Sequence, residues 1–161
     1  MLLAIDAGNT NIVFAVYDGK EVRAEWRAVT ETTRTADEYA VLLQPLIALS
    51  GLSFADIDAA IIATVVPASL FDLRMFCRKY LKSEAMVIGD ADVDLGINVQ
   101  VDRPNAVGAD RLVNAIAAHE AYKGPLIVVD FGTATTFDIV GANGDYEGGV
   151  IAPGANLSAE A

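Results

Sequence analysis

Basic residues are scarce in this chain. Eleven Lys and Arg stand against 22 Asp and Glu, and the formal net charge at pH 7 is -11. No basic stripe gathers in any stretch, which argues against a nucleic-acid backbone as the main partner. Anionic small molecules stay open, because backbone N–H groups bind phosphate without much local Lys or Arg. Cysteine is nearly absent: Cys77, in "LRMFCRKYL", is the sole one in 161 residues. A single Cys closes no intrachain disulfide and builds no zinc cluster. Its apolar neighbours read as a helix packing position, since a nucleophile would want a nearby imidazole and the sole histidine is His119. No basic n-region opens the chain and Asp6 breaks the first apolar run, so no signal peptide is read. No apolar stretch is long enough to span a membrane. The expectation is a soluble cytoplasmic protein with neither membrane nor nucleic acid as partner. Two familiar phosphate-binding signatures are also missing. There is no Gly-Lys-Ser/Thr of a Walker loop and no GxGxxG ahead of a helix.

What is present is enough apolar residue, 53% of the chain, to bury a core. Leu2 to Ile5 reads as a buried strand. "NTNIVFAVYDG" follows as a second strand, with Ile12, Phe14 and Val16 alternating and Asp18-Gly19 as a hairpin signal. "KEVRAEWRAV" alternates Val22, Ala24 and Trp26 and closes an antiparallel meander. The pattern then changes to helix. Thr35 with Glu38 forms a capping box, Gly51 is a stop, and Pro45 inside is a possible kink point. "IDAAIIATVV" is a strand, "PASLFDLRMFCRKYLKS" a helix with Pro67 in its first turn, and "AMVIG" a short strand. The order β-β-β-α-β-α-β implies a meander extended by β-α units, with the later strands parallel. Residues 89 to 105 are irregular and acidic and read as a connection or rim loop. A helix runs from Ala109 to Tyr122 and ends at Gly124.

The opening phrase "LLAIDAGNTN" returns near Leu126 as "LIVVDFGTATT". Placing Asp6 on Asp130 sets Gly8 on Gly132, Thr10-Asn11 on Ala134-Thr135 and Phe14-Val16 on Asp138-Val140. The Asp18-Gly19 turn then meets Asn143-Gly144 with one residue of slip. Two copies of one strand-turn-strand unit imply two domains of one fold, divided here as residues 1–124 and 125–161. A second copy as long as the first would reach roughly residue 248. The expectation is therefore a second domain represented by its opening meander alone, in a piece of a longer protein.

"DAGNT" by itself is equally an ordinary hairpin loop, since Asp, Gly and Asn are turn formers. Doubled, it favours phosphate binding. Gly lets a ligand approach the backbone, successive N–H groups make an anion nest, and Asp at a strand end can hold a cation such as the Mg²⁺ that accompanies nucleotide phosphates. "VGADRLVNA" is a third constellation. Gly108 permits close approach, Asp110 sits where a helix start favours its ionised form, and Arg111 offers a planar fork to a carboxylate or phosphate. By spacing alone, Asp110 reads as a helix-start charge with Arg111 as its surface neighbour. The functional alternative makes Asp110 a base toward a hydroxyl nucleophile. His119 reads as a surface or packing residue. Asp138 is either an outward polar residue or one pointing into a cleft.

Four stretches together, "DAGNTN", "PNAVGADRLVNA", "VVDFGTATTFD" and "GGVIAPG", resemble the type III pantothenate kinases of the acetate and sugar kinase, Hsp70 and actin superfamily. The resemblance implies duplicated ribonuclease H-like, actin-like ATPase domains. It implies transfer of the ATP γ-phosphate to pantothenate, the first step of coenzyme A synthesis. On that basis Asp6, Ala7, Gly8, Asn9, Thr10, Asn11, Ile12 and Val13 form the ATP-phosphate loop, and Thr133 is a further ATP contact. Gly108, Ala109, Asp110 and Arg111 form the pantothenate segment, with Asp110 as proton acceptor. Asp130 is a ligand for a monovalent cation, K⁺ or NH₄⁺. A divalent ion such as Mg²⁺ and a homodimer are implied as well. The chain departs from the family at "VDRP", where Val101 and Arg103 stand in place of a substrate-side Tyr motif. Two other readings are a non-catalytic regulatory member of the same fold and another small-molecule kinase of the superfamily.

Overall fold

Strand β1, Leu2–Ala7, lies at the centre of a five-stranded sheet in the computed structural model, which describes residues 1–155. β2 (Asn11–Asp18) runs antiparallel to it on one side, and β3 (Glu21–Val29) runs antiparallel to β2 at the edge. On the other side β4 (Ala59–Thr64) is parallel to β1, and β5, only Met86–Val87, is parallel to β4. The meander and the parallel continuation are those the sequence pattern implies. Helices α1 (Ala36–Leu49) and α2 (Pro67–Phe76) make the crossovers.

Local chemistry explains the boundaries. At α1 the Glu38 carboxylate accepts the Thr35 N–H at 2.8 Å and the Thr35 hydroxyl accepts the Glu38 N–H, the reciprocal box the sequence announces. Pro45 stands on the exposed side and the helix runs on through it. The carbonyl that its missing N–H would have met in the helix belongs to Val41, itself an exposed residue. Pro67 occupies the first position of α2, where no N–H is needed. The expected single helix changes character at its end: Cys77–Leu81 forms a π turn that Lys82 stops in a left-handed conformation, φ 57°. Leu3, Ile5, Phe14, Tyr39, Leu73 and Phe76 fill the core between sheet and helices. Cys77 belongs to that core, and burial pushes its thiol up to about 12.

Packing divides the chain into two compact units, Met1–Val93 and Asp94–Ala161. In the second, β6 (Leu126–Phe131), β7 (Ala134–Val140) and β8 (Tyr146–Pro153) form an antiparallel sheet of that order. Helix α3 (Ala109–Tyr122) packs on one face through Leu112 and Ala115. The other face carries Ile127, Val129, Phe137, Ile139 and Val150, all exposed. The irregular stretch beginning at Asp94 is part of this unit. Val99 bridges to Tyr146, and Leu95, Ile97 and Val101 pack against the same core. The Asp145 carboxylate accepts the Asn98 N–H at 2.9 Å and the Gln100 amide at 2.9 Å. Those donors, the Asn98 backbone first, hold the Asp145 carboxyl below its ordinary range. A depressed folded-state pKa contributes stability that is complete above the unfolded value and is lost as pH falls. The melting-temperature difference between wild type and Asp145→Asn is therefore expected to be complete above roughly pH 4, the ordinary aspartate range, and to shrink as the pH falls below it.

The two meanders share register details. The first is paired as Asp6↔Val13 and Ala7↔Ile12, the second as Asp130↔Thr136 and Phe131↔Thr135. Residues 8–11 of the first turn thus correspond to residues 132–134 of the second, which is one residue shorter. Phe14 therefore corresponds to Phe137 rather than Asp138, and the later hairpin, with five residues between Val140 and Tyr146 against four between Tyr17 and Val22, slips back by one. With that shift, both middle strands break register at the same place, Val16/Tyr17 and Ile139/Val140.

Candidate functional site

In the first unit, the turn after β1 is held from both sides. The Gly8 N–H donates to Asn11 O at 3.0 Å. Thr30, just past β3, donates its hydroxyl to Gly8 O at 2.7 Å and its N–H to Thr10 O at 3.0 Å. From β4, the Val65 N–H reaches Ala7 O at 3.1 Å. Gly8 has little room for a side chain: a Cβ there would lie 3.2 Å from Asn11 O. Asp6, Asn9 and Thr10 are exposed, Asn11 and Val13 half-buried. Ala7 and Ile12 are fully buried and pair with each other at the end of the β1–β2 ladder, so they shape the turn from beneath. Thr30 and Thr64 brace the loop without standing out in the sequence as part of it.

In the second unit, Asp130 is exposed near the end of β6. The following turn closes with Gly132 N–H to Ala134 O at 2.9 Å. Gly154 is pressed against it: a Cβ there would collide with Thr133 O and lie 2.9 Å from Gly132 O. The glycine of "APG" thus sets the backbone around Thr133.

The start of α3 brings the third constellation together. Gly108, φ -61° and ψ 143°, is the cap residue, and Ala109 behind it is buried. Asp110 is half-buried in the first turn, and its Oδ1 accepts the Arg111 N–H at 2.8 Å. Arg111 is not a surface neighbour. Its side chain is only 14% exposed, and its Nε donates to Asp138 Oδ1 at 2.7 Å. Arg111 Nη2 lies 2.6 Å from the same oxygen. It is not aligned to donate, and among the described residues it has no other hydrogen-bond partner. The Tyr146 hydroxyl donates to Asp138 Oδ1 at 2.7 Å. Burial first, then the Asp138 hydrogen bond and charge, raise the Tyr146 phenol well above its ordinary range. The guanidinium carbon also stands 5.8 Å from the centre of the Tyr146 ring.

Asp138 is the residue whose direction the sequence left open. It is 1% exposed and turned toward α3, while Phe137 and Ile139 point outward. A clue lay in "TTFDIV", where an apolar alternation read inward puts the one carboxylate outward; the strand does the reverse. Gly149 of "GGVIAPG" is the other residue without an evident signal. A Cβ there would collide with Phe137 O and Arg111 Nη2, and would lie 2.8 Å from Asp138 Oδ1. His119 packs at the far end of α3, with Nδ1 3.3 Å from Gly124 O. Val101, at the departure from the family pattern, packs in the second core, and Arg103 is exposed.

Among the described residues no helix is long and apolar enough to cross a membrane. In solved structures the fold recurs in an ethanolamine utilization protein EutJ from Carboxydothermus hydrogenoformans. There the TM-score is 0.52 at 17% identity, covering 94% of this chain and 51% of that one. It recurs in a Ppx/GppA phosphatase of Aquifex aeolicus, TM-score 0.52 at 15% identity, covering 99% and 54%. These likenesses show the α/β fold, sheets extended by β-α units. A type III pantothenate kinase of Rhodospirillum rubrum is 66% identical over the whole of this chain, which spans 63% of that relative. One of Paramagnetospirillum magneticum is 65% identical, with 62% of its length spanned. The chain thus covers somewhat under two thirds of the length of these relatives. The family model for type III pantothenate kinases matches residues 2–161, taking in the Asp6 turn, the Asp110-Arg111 helix start and the Asp130 turn together, and the chain belongs to that family.

Proposed function

We propose that the full-length protein transfers the γ-phosphate of ATP to the primary hydroxyl of pantothenate, giving 4'-phosphopantothenate. The observation that carries this reading is the family match over residues 2–161. Phosphoryl transfer is chiefly positioning and charge neutralisation, so it asks for a phosphate cradle, cations and an oriented hydroxyl. The loop from Asp6 to Val13 takes the ATP phosphates, with the exposed side chains of Asn9 and Thr10 foremost, and Thr133 adds a contact. Gly108, Ala109, Asp110 and Arg111 take pantothenate. Asp110 accepts the hydroxyl proton as the oxygen closes on phosphorus, and Arg111 holds the substrate carboxylate.

Asp130 would hold the monovalent cation, and Asp6 would hold Mg²⁺ directly or through water. No group of three or more ligating side chains occurs among the described residues, and both carboxylates are exposed. Such lone carboxylates suit ions that keep several waters and share phosphate oxygens. When bound, the ions neutralise charge on the transferring group. The two meanders open two copies of one ribonuclease H-like domain, which the matched register breaks at Val16/Tyr17 and Ile139/Val140 support. In the repeat, residues 1–124 are the first arm and residues 125–161 the opening meander of the second. The active form is a homodimer.

The test is a direct assay. Full-length protein, ATP and pantothenate are expected to yield phosphopantothenate by mass spectrometry, with much less product when K⁺ and NH₄⁺ are withheld. No product under either condition removes the reading and leaves a binding or regulatory member of the fold.

A further inference from the structure

We infer that Asp138 is a positioning residue that fixes the Arg111 guanidinium for a carboxylate ligand, with Tyr146 as its second anchor and Gly149 as the space that admits the pair. The inference rests on the reading of Arg111 as the ligand of the substrate carboxylate.

The Asp138 carboxylate is 1% exposed, in a sheet whose outward face is apolar. Burying a charge there costs several kcal/mol, and an apolar residue of similar volume would often hold the same fold as well. Core stability is therefore a weak reason for a carboxylate at this position. The hydrogen bonds suggest a better one. A guanidinium presents two forked edges, and Asp138 Oδ1 takes the edge made by Nε and Nη2. That leaves Nη1 to meet a second carboxylate, while Nη2 is buried and has no aligned hydrogen-bond partner among the described residues. Tyr146 donates to the same Oδ1 at 2.7 Å, which fixes the carboxylate that fixes the arginine. Gly149 completes the device. Any side chain there would occupy the volume of Arg111 Nη2. An arginine held this way is set in place before its ligand arrives, and that placement favours affinity for one substrate rather than the other.

The experiment uses the full-length protein carrying Asp138→Asn, which keeps the shape and an acceptor oxygen but removes the charge. The expected result is a KM for pantothenate raised about tenfold or more. The KM for ATP should stay within about twofold and the melting curve should remain cooperative. A folded variant whose two KM values rise together, or whose pantothenate KM is unchanged, overturns the assignment. Tyr146→Phe is the second variant, keeping the ring over Arg111 and removing one anchor. It should raise the pantothenate KM by about threefold, and no change would count against the assignment even if Asp138→Asn failed to fold. A third readout does not need turnover. The Arg111 Nε–H resonance should be protected from solvent exchange in the wild type and exchange rapidly in Asp138→Asn. Persistent protection sinks the positioning role. If the wild type makes no phosphopantothenate while Asp138→Asn still loses the protection of its Arg111 Nε–H, the proposed reaction fails and the positioning of Arg111 by Asp138 stands.

Discussion

Asp110→Asn in the full-length protein is expected to lower pantothenate phosphorylation by about a hundredfold to ten-thousandfold, the range a positioned general base supplies. The fold should be almost untouched. Asp110 sits in the first turn of α3, and its Oδ1 accepts the neighbouring Arg111 N–H at 2.8 Å. An Asn oxygen accepts that bond equally well. The lost charge at the helix start costs about 0.3–1 kcal/mol at most. A hundredfold drop in rate corresponds to about 2.7 kcal/mol, so the catalytic effect exceeds the structural one. The measurement is kcat at saturating ATP and pantothenate, alongside a melting curve. Retained activity in a folded variant would move the proton acceptor elsewhere. A large fall in melting temperature would instead make Asp110 a structural residue.

Phe76→Ala is expected to have the largest effect on stability, about 3–5 kcal/mol, as truncation of a fully buried aromatic ring does. Phe76 is 0% exposed. Its ring centre lies 5.7 Å from that of Phe54 at 73°, 6.0 Å from Tyr80 and 6.4 Å from Tyr39. Tyr39 in turn meets Phe14 of β2 edge-on at 6.1 Å. The cluster therefore ties α1, α2 and the π turn to the strand that follows the Asp6 loop. Removing its centre deletes apolar area and leaves a cavity that neighbouring rings cannot close without leaving their rotamers. Urea unfolding of the full chain, followed by tryptophan fluorescence, should show the midpoint of the first transition lowered by about 2 M. A shift equivalent to less than about 1 kcal/mol would show that the rings do not act as a unit.

Local signals in the sequence were reliable where a short stretch carries its own physics. Thr35 and Glu38 cap α1, Pro67 opens α2, and alternation marks β2 because each depends on neighbours within a few residues. The doubled Asp-Gly phrase located both turns for the same reason. What needed coordinates was whatever depends on distant partners. The face that Asp138 takes is decided by α3, whose Arg111 lies far away in the chain. Apolar alternation in β7 points to the opposite face. The stretch from Asp94 reads as loose because it has no periodicity, yet the Val99–Tyr146 bridge and the Asp145 hydrogen bonds build it into the second unit. Gly149 and Gly154 look like ordinary strand-end glycines until their neighbours, Arg111 and Thr133, are in place.

Cys77 offers a built-in reporter. It is the sole thiol of the chain, it is wholly buried in the first unit, and its ionisation is held off to about 12. Only a thiolate attacks an alkylating reagent, so the native form is inert at neutral pH. Labelling then proceeds through transient openings of the first unit, and its rate counts them. The second unit contributes no thiol and stays silent. Nucleotide bound at the Asp6 turn would slow this labelling by mass action, which gives a binding measurement that needs no turnover and no engineered probe.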